Sequence, residues 1–94
     1  MKHPVNIENY KSLYELSRDI GKMRYDAAAK LLEELAKDLQ KQGDADFKRE
    51  RRILAERLYK TAFVLESAAL KMRKAWEICR PYMQEELKQD PEIR

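Results

Sequence analysis

Residues 55–76 read AERLYKTAFVLESAALKMRKAW. Within them Ala55, Leu58, Ala62, Leu65, Ala69, Met72 and Trp76 alternate three and four apart, and Cys79 and Met83 carry the pattern onward. A mean spacing near 3.5 keeps one stripe of a helix turned toward the same neighbour, which is a coiled-coil seam. Alanines recur seven apart at 55, 62 and 69, with Ala68 and Ala75 beside them. So little bulk predicts an unusually close approach by a neighbouring helix. Tyr59, Phe63 and Leu70 fall about 60–120° from the seam on a helical wheel. They form a second apolar flank, and a helix with a stripe and a flank touches more than one partner helix.

Working toward the N-terminus, Gly43-Asp44 is the sharpest punctuation. Glycine suits the left-handed position just past a helix end, and Asp44 can N-cap a following helix. Lys37 and Lys41 before it, and Asp44 and Asp46 after it, complement the two helix dipoles. A turn this short joins antiparallel neighbours, so the sequence predicts a helical hairpin. Leu13, Leu16, Ile20, Met23 and Ala27, then Leu31, Leu35 and Leu39, keep helical spacing over the preceding stretch. One helix over 9–42 is expected, bent near Gly21 and capped by Asn6 or Asn9, with two shorter helices as the alternative. Residues 1–8 read as a loose lead-in and 43–44 as the turn. The second helix covers 45–80, and 81–94 a short terminal helix with a frayed tail. Pro81 either kinks the second helix or opens that terminal one.

The whole forms one all-α domain of 94 residues. A chain this short buries only about 60–65% of its unfolded surface. Two helices alone make a thin core, so two hairpins dimerising into a four-helix bundle are expected. The seam residues Ala55, Leu58, Ala62, Leu65, Ala69, Met72 and Trp76 are then the candidates for self-association. A three-helix monomer folded back at Gly21 is the alternative.

Charged residues make up 39% of the chain and the net charge is +3, with only two glycines and three prolines. That composition excludes collagen-like and low-complexity classes. The single cysteine, Cys79, excludes an internal disulfide framework, and the default compartment is the cytoplasm. No apolar run is long enough to span a bilayer, and no membrane partner is expected. Residues 48–80 nevertheless hold ten basic side chains against four acidic ones. Lys48, Arg49, Arg52, Lys60, Lys71 and Lys74 are the candidates for a polyanion-binding face on the second helix. The ordinary alternative is a solvated face.

Little else carries chemistry. His3 stands in the lead-in with no second group to orient it, and Cys79 lies on the apolar seam, where a thiol is an inert hydrophobe. There is no Glu-x-x-His pair, phosphate loop or nucleophile elbow. No catalytic residue, cofactor or metal ligand is therefore assigned. The sequence fits a non-enzymatic protein-interaction or scaffold module, with nucleic-acid binding through the basic face as the alternative. A third reading is a small helical enzyme gripping a dianion with Arg24, Arg51, Arg73 and Arg80. In that reading the arginines must point inward, whereas arginines beside a seam usually snorkel.

Overall fold

In the computed structural model, residues 3–89 are described, with side chains through Tyr82. Three helices follow in order, α1 (Leu13–Gly21), α2 (Tyr25–Lys48) and α3 (Arg52–Gln89), with no strand among the described residues. α2 and α3 form a long antiparallel hairpin, and the chain measures 56 × 30 × 19 Å. That length is the length of α3, about 57 Å for 38 residues at 1.5 Å each.

The hairpin turns at 49–51 rather than at 43–44. α2 ends in a Schellman motif: Arg51 N–H donates to the Asp46 carbonyl at 2.8 Å and Glu50 N–H to the Phe47 carbonyl at 3.0 Å. The left-handed residue this motif requires is Glu50, at φ 63°. Gly43 lies inside α2 and is buried. Its role is to be small: a Cβ there would stand 2.8 Å from Cε1 of Tyr59 on α3.

The expected single helix over 9–42 is two helices, broken at 22–24 just after Gly21. Neither Asn6 nor Asn9 caps it. Ser12 does, its Oγ accepting from Glu15 N–H at 3.1 Å while the Glu15 carboxylate accepts from Lys11 N–H at 3.3 Å. Asn9 sits instead at φ 77° in a turn closed by Tyr10 N–H on the Ile7 carbonyl. Asparagine tolerates that conformation better than most residues. No separate terminal helix starts at Pro81. α3 runs through it, because proline's φ is helical and an exposed position lets water satisfy the carbonyl left without a donor. The Met83 side chain and residues 90–94 of the expected tail lie outside the described residues.

Among the described residues only small side chains are fully enclosed. Ala29, Ala36 and Gly43 repeat every seven residues along α2, and Ala55, Ala62 and Ala69 do so along α3. Opposed pairs fix the register: Gly43 meets Tyr59, Gln40 meets Glu66, and Glu33 meets Arg73. These pairs set Gly43 level with residues 59–63 of α3 and Ala36 level with residues 66–70. Small residues thus meet small residues along the hairpin, where Ala29, Ala36, Ala55, Ala62 and Ala69 are enclosed.

The two edges of this seam differ. One is polar and linked across the helices: Arg73 grips Glu33 with two bonds of 2.5 and 3.2 Å, Gln40 donates to Glu66 at 3.2 Å, and the Tyr59 hydroxyl donates to Asp44. The other is apolar, and the N-terminal segment lies along it. Ile20 and Met23 share a cleft with Ala28, Leu32 and Met72. Nearer the turn, His3 joins Gln42, Asp46, Leu54 and Leu58 around a second depression.

Candidate functional site

Of the residues expected to carry self-association, the three alanines are occupied inside the chain. Ala55, Ala62 and Ala69 are closed off by α2, and Leu58, Leu65, Met72 and Trp76 are half-buried beside them. Trp76 also receives the Arg24 guanidinium, 5.0 Å from its ring centroid. Arg24 is held there by Asp26 through bonds of 2.6 and 2.8 Å, and Asp26 accepts Ala27 N–H as well. These contacts tie the start of α2 to α3.

The second apolar flank divides. Tyr59 is half-buried on Gly43, whereas Phe63 and Leu70 are 69% and 62% exposed. They stand seven residues apart, nearly two turns, so both project from one side of α3. Between them Glu66 is held by Gln40, and a shallow depression lined by Glu33, Lys37, Glu66 and Leu70 opens at their foot. Pairing of the neighbouring charges leaves the two side chains as an apolar element on a fixed polar frame.

The electrostatics of that frame follow from its contacts. The bond from Arg73 draws the Glu33 carboxyl below its ordinary value, and the same bond raises Arg73. Arg24 does the same to Asp26, and Lys30 to Glu34. Tyr59 is pushed up by donating to Asp44, then by burial.

The basic residues expected to form a polyanion face are spread along the length of the hairpin. Lys48, Arg49 and Arg52 gather at the turn, whereas Lys71 and Lys74 begin about 28 Å farther along α3. Between them Lys60 is paired with Glu56 at 3.0 Å. The arginines of the dianion reading are similarly engaged: Arg24 with Asp26, Arg73 with Glu33, and Arg51 with Asp46 at 3.6 Å. Arg80 is exposed and Cys79 half-buried. Among the described residues no group of three His, Cys, Asp or Glu side chains is placed to hold a metal ion, and no helix is long and apolar enough to cross a membrane.

No protein-family model matches the chain, and comparison with curated proteins and with solved structures finds no similar one. The site therefore has to be argued from its own geometry.

Proposed function

We propose that this chain is a non-enzymatic helical interaction module that pairs with a second copy through the Phe63–Leu70 flank of α3. The exposure of those two side chains on a frame of satisfied polar groups is the observation that carries this reading. Area supports it. The chain exposes 8148 Å², against about 5,700 Å² for a compact folded monomer of its mass. A rod this thin cannot remove the difference alone. A stable homodimer removes about 1,000–2,500 Å² from each subunit, so pairing would lower this exposure.

In this reading the alanine seam builds the hairpin and the flank joins hairpins into a four-helix assembly. Because α2 encloses the seam alanines Ala55, Ala62 and Ala69, this reading gives self-association to the flank rather than to the seam. The test is the concentration dependence of thermal unfolding, since dissociation coupled to unfolding makes the midpoint rise with protein concentration. The wild type is expected to show that rise and Phe63→Glu to lose it. A midpoint independent of concentration in the wild type would overturn the proposal.

A further inference from the structure

The turn at the closed end of the hairpin carries a second surface, unrelated to the Phe63–Leu70 flank. Ile53 is 80% exposed there, and Phe47 and Leu54 are about half exposed. Around them stand Lys48, Arg49, Arg52 and Arg57, none of which has a carboxylate within 4.0 Å among the described residues. The acids nearby are largely engaged: Asp46 is buried against Arg51, and Glu56 holds Lys60. Glu50 and Asp44 are left to oppose four cations, and Glu56 also attracts Arg57, so the cations remain in excess. The Arg52 guanidinium lies 5.5 Å from the Phe47 ring centroid, which places a charge directly beside an exposed aromatic. Ile53 and Leu54 share one shallow depression with Arg52 and Arg57.

We propose that this tip docks on an anionic lipid surface. Ile53, Leu54 and Phe47 enter the boundary between headgroups and acyl chains, and the four cations meet the lipid phosphates. Three features select this partner. The charge is complementary to an anionic leaflet, whose potential attracts clustered lysines and arginines. Apolar side chains ringed by basic ones match the layering of the bilayer interface, where the apolar part is buried and the charge stays with the headgroups. The surface is also the closed end of a rod with only a shallow depression in it, which suits a broad deformable plane rather than a segment needing a groove. A nucleic acid would use the cations but leave Ile53, Leu54 and Phe47 in water. The sequence expectation of no membrane partner concerned spanning runs, and a tip of this kind needs none.

The experiment is sedimentation of the full chain with large vesicles, either pure phosphatidylcholine or phosphatidylcholine with roughly one quarter phosphatidylserine, at about 0.1 M salt. The protein is expected to sediment with the anionic vesicles only and to be released by high salt. Each cation removed should weaken binding about five-fold. Arg52→Glu/Arg57→Glu should therefore lose at least about 25-fold. Ile53→Ser, with all charges intact, should also weaken binding, and that loss separates insertion from attraction alone. Circular dichroism of both variants confirms that each is folded. No binding to anionic vesicles, equal binding to neutral ones, or an Ile53→Ser variant that binds like wild type would each overturn the proposal. So would retention on random-sequence DNA in the absence of vesicle binding, which would make a nucleic acid the partner.

Discussion

Tyr59 of α3 packs its ring into the notch left by Gly43 of α2, and its hydroxyl donates to Asp44, the next residue along. One aromatic side chain thus uses both the missing Cβ and the neighbouring carboxylate, and it fixes the register near the turn. Replacing glycine by alanine inside a helix ordinarily stabilises by about 1 kcal/mol. At position 43 the sign should reverse, because the new methyl lands 2.8 Å from a ring carbon held in place by its hydroxyl. Gly43→Ala is expected to lower the melting temperature in the wild-type background and to raise it in a Tyr59→Ala background. Equal shifts in both backgrounds would remove Tyr59 as the cause.

Ala62 is completely enclosed at the middle of the seam. Ala62→Leu must force the helices apart or drive the new side chain off its preferred rotamers, at about 1–3 kcal/mol. Urea unfolding should show a lower midpoint, and an unchanged one would mean that the backbones are not closely packed.

Glu50 holds the left-handed conformation that closes the Schellman motif. A side chain costs about 1–2 kcal/mol there, and glycine escapes that cost while losing more chain entropy on folding. Glu50→Gly should stabilise by a net of about 0.5–1 kcal/mol. A destabilised Glu50→Gly protein would contradict the turn geometry.

Acid should loosen the polar edge. Glu33 and Asp26 have carboxyls lowered by Arg73 and Arg24. As pH falls past about 4, the unfolded chain takes up protons that the folded chain still resists. The stabilisation these pairs supply is therefore complete above the ordinary carboxylate range and erodes below it, vanishing once the lowered values are passed. Tyr59 works in the opposite sense: its raised hydroxyl value makes its contribution complete below about pH 10 and lost above. Melting temperature against pH should fall on the acid side, and Glu33→Gln should flatten that limb. An acid limb identical in Glu33→Gln would assign the loss to other carboxyls.

The helical class and the antiparallel hairpin were legible because the three-and-four spacing of Ala55 through Trp76 admits no other period. The interruption near Gly21 was legible as a weak point, expected first as a bend, with the full break into two helices as the alternative that the structure has. The turn was misplaced for a physical reason. Glycine is the usual left-handed residue after a helix, and Gly43 carried that signal, yet the left-handed position went to Glu50, where two backbone bonds and the Asp46–Arg51 pair close the turn. The correcting signal was present: Ala29, Ala36 and Gly43 repeat at the same seven-residue interval as Ala55, Ala62 and Ala69, which marks Gly43 as an interior contact. Ser12-x-x-Glu15 likewise spelled out a capping box at the start of α1. Phe63 and Leu70 were legible as a flank, but their separation from Tyr59 was not. It depends on which α2 residue stands opposite, and only glycine at 43 makes room for a ring. The gathering of Phe47, Ile53 and Leu54 among the cations was hidden for the same reason, since it exists only once the turn is placed at 49–51.

Absolute mass in solution, by light scattering behind a sizing column, tests the self-association claim most directly. Wild-type protein is expected near 22 kDa, twice the 11.2 kDa chain, and Phe63→Glu/Leu70→Glu near 11 kDa with its helical circular dichroism intact. A wild type at the single-chain mass, or a double variant that keeps the doubled one, would contradict the account.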